Sequence, residues 1–349
     1  MAELKEIIAA LEPRVQGNPS AMLGLARMLQ EDGQNAKALA MCRAAPSLAP
    51  DNAQLAAKAK FLINATVPRW HFSIVQDHAR NGAYNTALRR AVTPYSRVLE
   101  IGTGTGLFAM MAARAGAAAV ITCETVPAIA EKAAEIVAHN GYGDRVRVVV
   151  KHSDDLDAEV DMGGRADILV SEIVSNNLLS EKILAAHERA VRNLLKPGAR
   201  VIPARGTARV ALAHLRGEIG SLTNIAGFDL SGFNALARPM RPIHIGKEQL
   251  VLRSDPASLF VFDFASARYC APSQTSVAFR SMGGDVNGIV QWIALELDEV
   301  THYENRPGAV FNSAWSLLFY PLPQSIRTTA GQEFRIFGAH DRERLMIWT

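Results

Sequence analysis

The spacing of hydrophobic positions changes twice along the chain, near residues 66 and 203. Residues 1–66 are rich in Ala, Leu, Met and Lys without strand-like alternation, which predicts helices throughout. Residues 67–203 alternate short apolar runs with helical segments, a pattern typical of a parallel sheet covered by helices. Residues 204–349 contain apolar runs separated by Gly, Pro and Asn turns, which predicts an antiparallel barrel or sandwich. We therefore expect three domains with these boundaries.

The middle region contains five runs that predict the strands of its sheet. They are RVLEI (97–101), AVITCE (119–124), RVRVVV (145–150), ADILVSE (166–172) and ARVIP (199–203). Ligands of open parallel sheets bind beyond the carboxyl ends of the strands, near the point where strand order reverses. The residues at and just after these strand ends are therefore the first candidates for a binding site. In the last region, strands are expected in TARVALAHL, LFVFDF, GIVQWIALELD and AWSLLFYP.

Part of the helical region resembles a tetratricopeptide unit, roughly over residues 19–52. The positions that carry this resemblance are Leu25, Leu29, Gly33, Ala38, Cys42, Ala45 and Pro50. Small alanines at such intervals let two antiparallel helices pack closely, and proline ends the second helix. A lone unit cannot bury both of its faces. We expect a helical cap on the next domain or a dimer contact, with a separate partner-binding module as the alternative.

Composition and charge narrow the class of protein. The chain has 349 residues, 49% hydrophobic and 20% charged, with a net charge of +3 and interleaved acidic and basic residues. Because it lacks a concentrated basic stripe, nucleic acid is not an expected partner. Three scattered cysteines favour a reducing compartment and predict no metal site. The N-terminus does not resemble a signal peptide, and the apolar stretch 106–123 is interrupted by Arg114, so we expect a cytoplasmic protein without a membrane span.

A glycine-rich loop follows the first predicted strand, in VLEIGTGTG. Gly102, Gly104 and Gly106 allow a tight turn and close approach of the backbone to a ligand. Dinucleotide enzymes use a similar loop, so the glycines alone are a weak signal. Their alternate spacing, together with the acid Glu100 two residues before the loop, favours S-adenosyl-L-methionine. NAD is the alternative cofactor and is disfavoured because no hydride-transfer machinery follows.

Polar residues at the next strand ends agree with a cofactor site. Glu124 ends the second strand, where a carboxylate can accept hydrogen bonds from both ribose hydroxyls. Ser153 and Asp154 follow the third strand and can meet an adenine edge. Any one of these acids alone would be better explained as a solvated loop residue. Their recurrence at successive strand ends favours binding.

The segment SEIVSNNLLSE places two glutamates, Glu172 and Glu181, nine positions apart after the fourth strand. Both carboxylates are expected at the same rim, where they repel each other unless a cation lies between them. A planar guanidinium suits this position because its N–H groups can bond both carboxylates in fixed geometry.

From about residue 69 to the C-terminus the sequence resembles the protein arginine methyltransferases. The motifs that carry the resemblance are DHARNGAY (77–84), EIGTGTG followed by Glu124, SEIVSNNLLSE, GFDLSGFN (227–234), FVFDF and SAW (313–315). The double-glutamate loop is the most specific of them. The resemblance implies a Rossmann-like class I methyltransferase domain followed by a β-barrel-like domain. It also implies a homodimer, with residues about 215–250 as the contact segment.

The resemblance further implies roles for matched residues. Arg80 would hold the methionine carboxylate of the cofactor, Glu124 the ribose, and Asp154 or its neighbour the adenine. Glu172 and Glu181 would clamp the substrate guanidinium, orient it and leave one nitrogen facing the methyl group. Trp70, His71 and Phe72 are loose candidates for covering the cofactor.

One segment departs from the family. Its usual Thr-His-Trp is Ser313-Ala314-Trp315 here, so Asp77, which matches the acid that pairs with this histidine, is expected to lose its partner. Trp315 is a candidate wall of the substrate pocket, or equally a core aromatic residue.

The leading hypothesis is an S-adenosylmethionine-dependent arginine N-methyltransferase that acts on arginine in a protein or on free arginine. Near-balanced charge in residues 204–349 slightly favours a small or individually recognised substrate. The alternatives are a weak or inactive scaffold that binds partners through its N-terminal helices, motivated by Ala314, and a methyltransferase for another nucleophile, which the paired glutamates disfavour.

Overall fold

The structure is a computed structural model that describes residues 2–217, 222–244, 250–308 and 313–349. Within these residues, no helix is both long and apolar enough to cross a bilayer.

Four helices form the N-terminal region. They are α1 (Ala2–Leu11), α2 (Pro19–Glu31), α3 (Asn35–Ser47) and α4 (Ala53–Ala65). Asn18 and Asn52 begin α2 and α4, since their side chains accept hydrogen bonds from backbone N–H groups of the first turn. Fully buried Ala26, Ala38 and Ala45 let α2 and α3 approach closely and bring their leucines into one small core. The prediction of a helical N-terminal region is confirmed.

The middle region alternates helices and strands. Its elements are α5 (Trp70–Ile74), α6 (His78–Ala91), β1 (Arg97–Ile101), α7 (Leu107–Arg114), β2 (Ala119–Glu124), α8 (Pro127–His139), β3 (Val146–Val150), β4 (Ala166–Ser171), α9 (Ile183–Asn193) and β5 (Leu195–Ile202). All strand pairs are parallel, in the order β3-β2-β1-β4-β5. The order reverses between β1 and β4, so their carboxyl ends flank the expected ligand crevice. The five predicted strands are confirmed, although β5 begins earlier than its apolar run.

The N-terminal helices pack on the outside of this sheet domain. Helix α3 lies against α8, and Arg43 of α3 forms an ion pair with Glu131 of α8.

The C-terminal region is an antiparallel, barrel-like sheet domain. Its strands are β6 (Arg205–Leu215), β7 (Asn224–Ile225), β8 (Phe228–Asp229), β9 (Arg241–Ile243), β10 (Leu250–Leu252), β11 (Ala257–Asp263), β12 (Ser273–Glu296), β13 (His302–Glu304), β14 (Leu317–His340) and β15 (Leu345–Trp348). Strands β7 and β8 form a separate hairpin, and the others form one sheet.

The longest strands of this domain are β12 and β14, which pair with each other and have 24 residues each. The apolar runs predicted only the first part of β14 and the last part of β12. The remaining parts are largely exposed, so their side chains carry little apolar periodicity. Gly288 marks the buried part, where a Cβ atom would lie 2.2 Å from the Phe319 ring.

The C-terminal sheet packs directly against the double-glutamate segment. A Cβ atom at Gly206 of β6 would lie 2.5 Å from Leu178 and 2.6 Å from Phe264. Because Leu178 is fully buried between the two domains, the barrel-like sheet fixes the course of the loop that carries Glu172 and Glu181.

Candidate active site

A cavity of about 370 Å³ opens at the carboxyl ends of β1, β2 and β4. This volume is within the range of small-molecule sites. Eleven sequence-predicted residues line it together, whereas Gly106 does not: Arg80, Glu100, Gly102, Gly104, Glu124, Ser153, Asp154, Glu172, Glu181, Trp70 and His71. The tertiary structure thus brings the predicted cofactor residues and the two glutamates into one site.

The glycine loop adopts a backbone conformation that only glycine tolerates well. Gly102, Gly104 and Gly106 have φ angles of 87°, 50° and 80°. A Cβ atom at Gly102 would lie 2.9 Å from Ile173, the residue after Glu172. Gly106 directly precedes α7, so the loop delivers the N-terminus of that helix to the cavity.

The carboxylate of Glu124 is held in place by backbone N–H groups. Its Oε2 accepts a hydrogen bond from Gly104 N at 3.2 Å, and its Oε1 accepts from Thr125 N and Val126 N at 2.9 and 3.0 Å. These contacts join the end of β2 to the glycine loop and fix the carboxylate before any ligand arrives.

The residues after β3 differ in exposure. Ser153 is buried, whereas the Asp154 side chain is 54% exposed and lies 3.7 Å from Arg189 Nε. Both line the cavity, and Arg189 belongs to α9, the helix that follows the double-glutamate segment.

Arg80 lies on the first turn of α6, which Asp77 caps by accepting a hydrogen bond from Arg80 N at 2.9 Å. The guanidinium donates to Glu172 Oε2 at 2.9 Å and also to Asn81 Oδ1. The exposed fractions of the Arg80 and Glu172 side chains are 2% and 9%, so the pair is buried.

The other carboxylate oxygen of Glu172, Oε1, is buried and has no hydrogen-bond partner among the described residues. Burial raises the pKa of Glu172 to about 8; Arg80 opposes this shift, while Glu181 and Asp77 add to it. Glu181 lies at the rim of the cavity, where desolvation by the surrounding protein raises its pKa. An unpaired buried acceptor beside a second carboxylate is the arrangement that a cationic hydrogen-bond donor satisfies.

The loop between the two glutamates is braced from both domains. Trp315 Nε1 donates to Val174 O at 2.8 Å, and Gln291 Nε2 donates to Asn176 O at 3.2 Å. Beneath it, Ser171 Oγ lies 2.6 Å from Nε2 of buried His187. Sequence reasoning missed Gln291 and His187, because neither belongs to a recognisable motif.

Asp77 and Trp315 lie behind the cavity wall and are not among its lining residues. Trp315 is 4% exposed and contacts the loop backbone. The histidine partner of Asp77 is absent at Ala314, and other groups bond the carboxylate instead: its Oδ2 accepts hydrogen bonds from Tyr303 Oη at 2.6 Å and from Ala314 N at 3.1 Å. Tyr303 lies 226 positions from Asp77 and no sequence signal pointed to it.

One further acid and two aromatic residues also line the cavity. Glu100 is 1% exposed, and burial raises its pKa to about 8. On the opposite side, Trp70 and His71 of α5 stack at 3.9 Å and line the cavity above the glycine loop, whereas Phe72 is 69% exposed and points elsewhere.

Comparison with known proteins agrees with this geometry. Residues 98–198 match a methyltransferase domain family. The chain is 35% identical over 313 residues to an arginine N(omega)-methyltransferase of Streptomyces achromogenes subsp. streptozoticus. The matched region covers 88% of this chain and 86% of that protein. The chain belongs to the arginine N-methyltransferase family. The resemblance seen in the sequence is thereby confirmed.

Two other relatives extend the comparison. The chain is 34% identical over 320 residues to the protein arginine N-methyltransferase 7 of Drosophila grimshawi, over 78% of this chain and 45% of that longer protein. Its fold is similar to a chain of the Trypanosoma brucei PRMT1 enzyme-prozyme heterotetrameric complex with AdoHcy, with a TM-score of 0.69, 22% identity and coverage of 79% of this chain and 88% of that one.

As a member of this family, the chain uses S-adenosyl-L-methionine to methylate a guanidinium nitrogen of arginine, and the comparisons give no support to an inactive scaffold. The residues of the cavity fit this cofactor. The glycine loop leaves room for close backbone approach, Glu124 presents a fixed carboxylate, and Arg80 has further N–H groups beyond those that bond Glu172 and Asn81.

Proposed function

We propose that this arginine N-methyltransferase acts on free L-arginine and transfers a methyl group to one of its ω-nitrogens. The observation that carries the proposal is the buried, unpartnered Oε1 of Glu172, a residue that lines the same cavity as Glu181. The relative in Streptomyces achromogenes is named for arginine, not for protein arginine. Lys151 and Lys182 line the same cavity as the two glutamates, so its surroundings lack the uniformly acidic character that would attract basic protein tails.

The proposal assigns the cofactor side of the cavity as follows. Glu124 binds the ribose hydroxyls, Ser153 and Asp154 meet the adenine, and Arg80 holds the methionine carboxylate. Gly102, Gly104 and Gly106 allow the backbone to approach the cofactor, and buried Glu100 supports the loop from below. The bound cofactor supplies an activated methyl group on a sulfonium sulfur.

The substrate side depends on the two glutamates. Glu172 Oε1 and the Glu181 carboxylate accept hydrogen bonds from the guanidinium and draw its positive charge to one side. The third nitrogen then keeps electron density for attack and faces the cofactor. A guanidinium has a pKa above about 12, so orienting it matters more than removing its proton beforehand. Fixed orientation of two reactants can contribute roughly 7–11 kcal/mol to a transfer step.

Mass spectrometry of reaction products tests the substrate. The purified protein is incubated with S-adenosyl-L-methionine and either free L-arginine or an arginine-rich peptide. We expect a methyl gain on free arginine that the Glu172→Gln variant does not produce. Methylation of the peptide alone would overturn the proposal and favour protein arginine, the substrate named for the Drosophila grimshawi relative.

We further propose a homodimer formed through the segment around β7 and β8. The expected contact segment, residues 215–250, includes 218–221 and 245–249, which lie outside the described residues. Its described part exposes a cluster of large apolar side chains: Ile225, Phe228, Leu230, Phe233 and Leu236, with exposed fractions of 41–76%. Contiguous exposed apolar surface is typical of interaction sites. Sedimentation analysis should show a dimer that Phe228→Asp with Phe233→Asp dissociates, whereas Val160→Asp, at an isolated exposed position, leaves it intact.

We propose domain boundaries at residues 66 and 203, with the N-terminal helices as a cap on the cofactor domain. Their separate core and the Arg43–Glu131 ion pair across α3 and α8 support this arrangement. A chain beginning at residue 67 should lose thermal stability but retain measurable methylation of arginine. Complete retention of stability would favour a separate partner-binding module.

A further inference from the structure

Tyr303, on β13 of the C-terminal sheet, contacts Asp77 at the start of helix α6 in the middle region. Its hydroxyl donates to Asp77 Oδ2 at 2.6 Å, and its oxygen lies 2.8 Å from Ser313 Oγ. The residue is 4% exposed, and its ring packs edge-on against Trp315 with centroids 5.4 Å apart.

Asp77 connects Tyr303 to Arg80, which lines the cavity. Its Oδ1 accepts from Arg80 N at the start of α6, while Oδ2 accepts from Tyr303 and from Ala314 N. The Arg80 guanidinium in turn donates to Glu172 Oε2. These hydrogen bonds, joined through the covalent backbone and side chain of Arg80, link the Tyr303 hydroxyl to the carboxylate that is expected to bind the substrate.

We propose that Tyr303 is a positioning residue for arginine methylation, which orients Glu172 through Asp77 and Arg80 and replaces the histidine absent at Ala314. Tyr303 is not among the residues that line the cavity, so its proposed action passes through these neighbours. The inference rests on the roles proposed for Arg80 and Glu172, and it holds for free arginine and for arginine in a protein alike.

The hydroxyl is suited to a constant structural contact. Burial and the neighbouring Asp77 carboxylate raise the pKa of Tyr303 well above its usual range, while Arg80 opposes this shift. The group therefore keeps its proton and donates to Asp77 at any pH at which the enzyme works. A histidine in the same role would change its charge near neutrality.

Tyr303→Phe tests the inference because it removes the hydroxyl and keeps the ring against Trp315. Since a misplacement of about 1 Å can cost roughly 100-fold in rate, we expect kcat to fall about 10- to 100-fold. The affinity for S-adenosyl-L-methionine and the thermal midpoint should change little. A matched control is Tyr320→Phe: Tyr320 is also a buried tyrosine of this sheet, but its hydroxyl has no hydrogen-bond partner among the described residues. This variant should keep the wild-type kcat.

A double variant distinguishes action through Asp77 from an independent effect. Asp77→Asn combined with Tyr303→Phe should lose no more kcat than the more damaging single substitution, because both interrupt the same series of contacts. If the double variant instead loses kcat by the product of the two single losses, the inference is overturned. A wild-type kcat for Tyr303→Phe would overturn it as well. Wild-type protein that methylates no arginine would instead contradict the proposed function.

If Tyr303→Phe does not fold, Tyr303→His serves in its place. An imidazole N–H can also donate to Asp77, so turnover within about tenfold of wild type is expected near pH 8. A folded Tyr303→His protein without turnover would overturn the inference.

Discussion

The guanidinium of Arg80 lies 2.9 Å from Oε2 of Glu172, so this pair joins helix α6 to the end of β4. Both partners are buried, so removing either one leaves an uncompensated charge or an unpaired donor in the interior. This contact uses one oxygen of Glu172 and leaves Oε1 for a ligand. In the proposed assignment, the same pair therefore connects the cofactor side of the cavity to its substrate side.

Loss of either glutamate charge should abolish most of the transfer. Glu172→Gln and Glu181→Gln each replace a charged acceptor with an amide that cannot balance the guanidinium charge. We expect kcat/KM for arginine to fall about 100-fold or more, since removal of one preorganised polar group from an active site commonly costs 10²–10³. Radiolabelled methyl transfer measures the loss. Glu135→Gln, on the exposed face of α8, is the control and should behave as wild type.

The rate should depend on the protonation of Glu172. Without substrate, the pKa of Glu172 is raised to about 8, so the carboxyl group is largely protonated below that pH. A neutral carboxyl group binds a cation poorly, so kcat/KM for arginine should rise with pH, by up to tenfold per pH unit, and level off above about pH 8. Initial rates at low arginine concentration from pH 6 to 9 check this. A flat profile over that range would show that Glu172 is already ionised.

Glu124 should control affinity for the cofactor more than Asp154 does. The Glu124 carboxylate is fixed by three backbone N–H groups, from Gly104, Thr125 and Val126, whereas the Asp154 side chain is largely solvent-exposed. We expect Glu124→Gln to weaken S-adenosyl-L-methionine binding about 10- to 100-fold, in line with the 1.5–3 kcal/mol of hydrogen bonds to charged groups. Calorimetric titration measures both variants. Equal, small losses for Glu124→Gln and Asp154→Asn would contradict the ribose assignment.

Glu100 should make the ligand-free protein less stable at alkaline pH. Its folded-state pKa is raised to about 8, above the usual value of about 4.3, so between these pH values the folded state binds a proton that the unfolded state has lost. The free energy of unfolding therefore falls as pH rises through this range. Glu100→Gln mimics the protonated form and should stabilise the protein at pH 8.5, on the order of 1 kcal/mol or more, and less at pH 5.5. Thermal midpoints at the two pH values test this. A gap between variant and wild type that does not grow with pH would refute it.

The sequence predicted the parts of the fold that depend on local pattern. Strands β1 and β2 match their apolar runs residue by residue, because a buried parallel strand is a continuous apolar run with turn residues at each end. The exposed parts of β12 and β14 escaped prediction. Their pairing is stabilised by backbone hydrogen bonds along a 24-residue ladder, to which side-chain hydrophobicity contributes little.

The candidate site likewise contains residues that local sequence pattern predicted and contacts that it did not. The positions of Gly102, Gly104, Gly106, Glu124 and Glu172 were apparent because each lies at or just after the end of a predicted strand, and strand ends of a parallel sheet meet at one edge. By contrast, the pairing of Asp77 with Tyr303 joins residues 226 positions apart through side chains on two different domains. No local pattern encodes such a contact.

The sequence by itself determined the fold class, the family, the glycine loop after the first strand and the two glutamates near the end of the fourth, since each depends on residue type and spacing within short segments. Only the tertiary structure decided that Arg80 pairs with Glu172, that one Glu172 oxygen has no partner among the described residues, and that the Tyr303 hydroxyl donates to Asp77. The physical reason is that burial and hydrogen-bond geometry arise from the packing of distant segments. Charge states such as those of Glu100 and Glu172 follow from that packing and not from the residues alone.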